Sequence, residues 1–358
     1  EQAMAQQGSP ETDAARDMAE TSLTQIEQLL NDTDELQFGF NIDQAAKQMS
    51  FKARFTAVPG TSLGEILSSQ EAIPSQFASV IRPDAAAFYH SASAIGPESV
   101  QQVQSSMKAA SASIAGVLES QANLPQEYQQ KVMGLVDRIL DLASASAAEG
   151  KSDLGAVLLA GENSMQFALG TFVSNGNDVA AIAKDLAAEI EGVPGAPAFM
   201  FDQEVYEGVT MHLVEIDIPP FEEEMIEVLG EKLQIHIGTG EKAVYLATGK
   251  GSKALLTSMI DSAGQDKSSS RPVGQLHFSL MPMLELAQSV NADDSVMAMI
   301  DSLSRAADTG KIMMISESIE NGQDFTLSIG EGLLQAAGAA ARQEQLEAQR
   351  NAIQNGQF

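Results

Sequence analysis

The apolar pattern of the first half of this chain starts again near residue 226, and this recurrence constrains the fold more than any single motif. Ile26-Glu27 with Leu29, followed by Leu36-Gln37-Phe38, resembles Ile226-Glu227 with Leu229, followed by Leu233-Gln234-Ile235. The strand segment is offset by 197 residues, Leu36 to Leu233. Phe51 and Ala53 match Val244 and Leu246 at an offset of 193, as Leu63, Ile66 and Leu67 match Leu256, Met259 and Ile260. Arg82-Pro83 matches Arg271-Pro272 at 189, and Val157-Leu158-Leu159 matches Met313-Met314-Ile315 at 156. The offsets only fall, and each drop lies in a loop or a helical stretch. Deletions in a duplicated gene leave that trace, whereas chance matches scatter in both directions. Tandem duplication is the expected architecture.

Within each copy the periodicity mixes strands and helices. Leu36, Phe38 and Phe40 alternate as a strand, and Phe51, Ala53 and Phe55 answer as its hairpin partner. Asn321-Gly322 marks a further hairpin with a type I′ turn. The expected fold is α+β: two pseudo-equivalent units, each an antiparallel sheet of hairpins packed with helices. An N-terminal helix and tail occupy 1–31, the helix opened by Ser9-Pro10 and given an apolar face by Met18, Leu23, Ile26 and Leu30. The first repeat spans 32–192, a connecting β-hairpin and acidic helix 193–230, and the second repeat 231–340. A C-terminal helix end and polar tail close the chain at 341–358.

The copies differ most in a helical hairpin. Val100, Val103, Met107, Ala110, Ile114 and Val117 keep spacings of three and four, as do Tyr128, Val132, Leu135, Ile139 and Leu142. The pair spans 97–148 and shrinks to about 281–307 in the second copy. The longer hairpin outruns the sheet and is expected to project. Its neutral face, with Gln101, Gln104, Ser105 and Ser111, and its tip, with Leu124 and Tyr128, are the expected contact points for another protein.

Composition removes several classes of function. The net charge of −29 repels nucleic-acid phosphate and anionic lipid. With no cysteine, thiolate catalysis and cysteine-based metal sites are excluded. No apolar run is long enough to span a membrane. The acidity, together with a first residue that is not Met, points to an extracytoplasmic protein.

Each catalytic pattern has a simpler explanation. Gly60-Thr61-Ser62-Leu63-Gly64 fits a nucleophile elbow, but Ser62 and Glu65 also form a capping box between antiparallel hairpins. Gly249-Lys250-Gly251-Ser252-Lys253-Ala254 imitates a dinucleotide fingerprint without the β-α-β setting, and Ser252 reads as a helix cap. His90, His212, His236 and His277 lack ligand spacing, although His90 and His277 fall near equivalent strands. Asp32, Asp34 and Glu35 at a helix exit could hold calcium weakly, and Glu222-Glu223-Glu224 less so; neither cluster has the spacing of an EF-hand loop. The sixteen methionines, dense in the second copy, serve as core filler or line a greasy pocket.

The segment Lys242–Lys250 with the helix after it, and the Arg-Pro-strand segment at 271–279, resemble exported, tandem-duplicated α+β proteins of marine planctomycete-type bacteria. The likeness covers about a third of the chain. It implies export and duplication, and carries no functional residue. The expectation is a non-enzymatic structural or interaction protein without an organic cofactor. It would self-assemble or dock to a protein through hairpin 97–148 and the termini. The alternative is a carrier of an apolar ligand, held between sheet and helices in the Met-rich second copy.

Overall fold

The computed structural model describes residues 27–354, except 28, 121–124, 194, 269–270 and 292. The N-terminal helix expected from Ser9-Pro10 therefore lies almost wholly outside the described residues, as does Leu124. In chain order the elements begin with strands β1 (Thr33–Asp43) and β2 (Gln48–Ala57), helix α1 (Ser62–Ser69), a 3-10 turn (Ala78–Val80) and β3 (Ala87–Ala94). The long hairpin follows as α2 (Pro97–Ser120) and α3 (Gln126–Ala148), then β4 (Lys151–Gly161), β5 (Ser164–Phe172) and α4 (Gly176–Ile190). After it come β6 (Ala198–Tyr206), β7 (Val209–Asp217), α5 (Glu223–Leu229), β8 (Lys232–Thr239), β9 (Ala243–Gly249) and α6 (Ser252–Ser262). The chain ends with β10 (Gly274–Ser279), α7 (Leu280–Val290), α8 (Asp294–Ser304), β11 (Lys311–Ile319), β12 (Gly322–Gly330) and α9 (Glu331–Gln354).

The twelve strands among the described residues join one antiparallel sheet, in the order β1-β2-β12-β11-β10-β3-β4-β5-β9-β8-β7-β6. The fold is α+β, and its hairpins are the expected ones, but strands from 32–192 and 231–340 interleave instead of forming separate sheets. β10 pairs with β3 at the centre, β12 with β2, and β5 with β9. Exchanging the labels β1–β5 with β8–β12 returns the same order of these ten strands, read backwards. Each hairpin thus finds a neighbour from the other half, and among the described residues β1 and β6 are left as edges.

One face of the sheet carries the main core. Val157, Ala168, Tyr245, Ala247 and Met211 point to it and meet Phe77, Val80 and the α6 residues Leu256 and Met259. Its floor explains two glycines. Gly155 and Gly170 are opposite one another on β4 and β5, and Phe77 lies over both: a Cβ on Gly170 would fall 2.3 Å from Phe77 Cδ1. The segment leading to Phe77 is pinned from below, since Asp153 accepts from Ser75 Oγ at 2.6 Å and from Gln76 N–H at 2.7 Å. A smaller core of Leu284, Leu303 and Ala336 joins α7, α8 and α9.

Two caps differ from expectation. Thr61, not Ser62, caps α1, accepting from Gly64 N–H at 3.2 Å. The cap of α6 is Gly251, in the left-handed region, and Ser252 is buried inside the first turn. In both places the residue one step earlier has the backbone geometry of a cap, which spacing alone does not reveal.

Candidate functional site

The hairpin singled out from the sequence is present and packs mostly on itself. Among the described residues none of α2 is buried, and α3 buries only Ala147. Exposed ion pairs tie it to α4, Lys131–Glu189 at 3.1 Å and Arg138–Asp185, and such pairs contribute little. Gln101, Gln104 and Ser105 are exposed, and Tyr128 is half-exposed. Ser111 instead faces the partner helix, donating to Asp137 at 2.8 Å, and with Gln104 lines a polar cavity of about 350 Å³ between α2 and α3.

The acidic residues near β1 serve local structure. Asp32 accepts from Leu63 N–H at 3.4 Å, and Asp34 from Thr56 Oγ1 at 3.4 Å. Asp34 and Glu35 line an open cavity of about 480 Å³ with Arg54, whose guanidinium is bonded to Asp324 at 2.6 and 2.7 Å. That bond holds the Asp324 carboxyl below the usual range. Among the described residues no group of three or more His, Asp or Glu stands in a metal-binding arrangement.

Among the described residues no hydrogen bond links Ser62 to a histidine. Gly249 is demanded by the backbone, since a Cβ there would meet Met165 O at 2.0 Å. Lys250 donates to the carbonyl of Glu227. His212 Nδ1 accepts from Asp202 N–H at 3.1 Å, which leaves Nε2 to donate to Thr239 Oγ1 at 3.0 Å. His90 and His277 lie on the core side of the central pair β3–β10, opposite Gln275 and Phe88 respectively. Both ring nitrogens of His90 are buried without partners, and burial pushes its pKa down to about 4.

The opposite sheet face is the feature that stands out. Side chains directly opposed in an antiparallel ladder share a face, and the pairing registers place Phe38, Ala53, Phe325, Ser316, Gly274, Ser91 and Leu154 on this one. Two residues along lie Phe40, Phe51, Leu327, Met314, Leu276, Tyr89, Ala156, Leu169, Leu246 and Ile237. Across these two rows, from β1 to Ile237 of β8, no residue is charged and none is buried; on the same face Ala57 and Thr239, at strand ends, are buried. Even Ala53, Ala87 and Ala156, shadowed by larger neighbours, stay partly exposed. Phe38 is 78% exposed, Tyr89 40% and Met314 39%.

Helices border this face without closing it. Leu334 of α9 shares a cavity of about 330 Å³ with Ile42, Met49 and Ile329. Between α4 and β6 lies another of about 520 Å³, lined by Val193, Phe199 and Phe201. A third, of about 280 Å³, follows Tyr89, Met314 and Phe325 near the centre. The first and third lie along this face, the first rimmed by Asp43, Lys47 and Glu331; the second lies past β8, and Lys184 and Glu191 line it too. Ten strands at ~4.8 Å spacing and six residues at ~3.4 Å give a footprint of roughly 900 Å². That exceeds the ~300–600 Å² of the largest apolar patch on a typical monomer.

No helix among the described residues is long and apolar enough to cross a membrane. No protein family, curated protein or solved structure matches the chain.

Proposed function

We propose that the protein is a non-catalytic, self-associating protein, and that the open apolar sheet face is the surface by which copies meet. The observation that carries this reading is the absence of any charge on that face in a chain whose net charge is −29. Leaving such a surface in water costs roughly 25 cal/mol per Å², so it is stable only where something covers it. Sites for small ligands are concave and bury most of the ligand, whereas this surface is broad and shallow. Its extent is close to the ~800 Å² that each partner contributes to a standard interface, and two sheets stack well face to face. Hairpin α2–α3, exposed and weakly tethered, supplies a second contact region. The palindromic strand order supports the same descent by duplication as the sequence offsets.

Tyr89→Arg and Met314→Glu place a charge at the centre of the face without touching the core. Sedimentation velocity should show wild-type protein shifting to larger species as concentration rises, and each variant should weaken that association at least tenfold. A wild-type chain that stays monomeric at every concentration and carries bound lipid would replace this reading with the apolar carrier.

A further inference from the structure

The two edges of the sheet are built differently. β6 is blunted: its ladder to β7 slips between Met200 and Glu204, Asp202 sits at φ 52°, and the Asp202 N–H is taken by His212. β1 has a register shift only at its start, between Thr33 and Glu35, and its charges, Asp34, Glu35 and Asp43, stand at its two ends. Its ladder to β2 is regular from Glu35 to Asp43, and Leu36–Ile42 contains no charge and no proline. An exposed, regular, uncharged edge is a template for another strand.

We infer that β1 pairs antiparallel with β1 of a second copy, joining the two sheets edge to edge. This rests on the self-association proposed above and names a contact separate from face stacking. An isologous pair must keep the apolar faces on the same side, so residues of like parity must oppose each other. Centred on Gly39, the register sets Glu35 against Asp43 of the other copy. Centred on Phe38, it sets Glu35 against Asn41, Leu36 against Phe40 and Phe38 against itself. No acid then faces an acid along seven residues, 35–41, and the aromatic cross-strand pairs are favourable. A strand that complements itself in this way selects a second copy over an unrelated strand.

The chain has no cysteine, so introduced thiols report without background. Gln37 and Gly39 point to the face opposite the apolar one and oppose each other across the inferred contact. Their Cα separation in such a ladder, ~4.5–5.5 Å, suits a disulfide. Gly39 accepts a side chain, since the nearest neighbour of its Cβ would be Lys52 Cβ at 3.7 Å. The test is mild oxidation of Gln37→Cys/Gly39→Cys, with Glu35→Cys/Asn41→Cys as a second pair and Lys52→Cys, one strand inward, as control. Both pairs should give covalent dimer at least tenfold above the control. If wild-type protein self-associates but neither folded pair crosslinks beyond the control, edge pairing is wrong and face association stands. If wild-type protein is monomeric throughout and nothing crosslinks, both fall.

Discussion

Phe77→Ala should lower the folding free energy by about 3–5 kcal/mol, the cost of removing a large buried aromatic ring. Phe77 is fully buried and meets Tyr245 edge-on, ring centroids 5.6 Å apart. Beneath it are Gly155 and Gly170, which have no side chain to move into the space. The cavity cannot collapse, so the upper part of the range is expected. Urea unfolding should show a lower midpoint with an unchanged slope, since the surface exposed on unfolding is nearly the same. Gly170→Ala alone should also destabilise, because its Cβ lands on the Phe77 ring. Combined with Phe77→Ala it should cost less than the sum, as the added methyl enters the vacated space. Phe38→Ala is the contrast: the same chemical change at an exposed edge should barely move monomer stability.

The hairpins and helices were legible because local patterns encode them. Alternation at Leu36, Phe38 and Phe40, the Asn321-Gly322 turn and the two stripes of hairpin 97–148 each act over a few residues. The interleaving was not legible. Nothing local tells β2 to pair with β12, where Thr56 stands opposite Gly322, 266 residues further along, instead of with β3. Nothing in the alternation of β4 and β5 marks Gly155 and Gly170 as the places that make room for Phe77, a residue on an otherwise irregular segment.

The open face did leave a trace in the sequence. Val157-Leu158-Leu159 and Ile312-Met313-Met314-Ile315 are apolar at every position. An antiparallel strand with one solvated face alternates, so an unbroken apolar run means that both faces seek cover. The methionines Met313 and Met314 point to opposite faces of β11, and only Met313 lies on the side of the main core. Ser111, placed on the hairpin's neutral face by its polarity, donates to Asp137 of the neighbouring helix.

Acidification from pH 6.5 to pH 4 should destabilise the fold, with His90 alone contributing about 3 kcal/mol. Burial is the larger cause of its depressed pKa; the charge of Arg271 adds to it and Asp266 opposes it. Below pH 6.5 the unfolded chain takes up a proton at this site and the folded chain does not until about pH 4. The stabilisation is therefore whole above pH 6.5, falls across that window and is constant below it. His277, His236 and His212 are lowered by burial too, and act in the same direction. Asp153, raised by burial, acts against them as its carboxyl takes up a proton. Exposed paired carboxylates such as Asp84 and Asp324, whose pKa values are lowered by their arginines, lose their small stabilisation only at lower pH. His90→Leu fills the same apolar space without a titrating group. Its unfolding free energy, measured at pH 7 and pH 4.5, should drop by roughly 2–3 kcal/mol less than that of the wild type. Equal drops in the two proteins would show that the ring at the centre of the sheet is protonated in the fold as readily as in the unfolded chain.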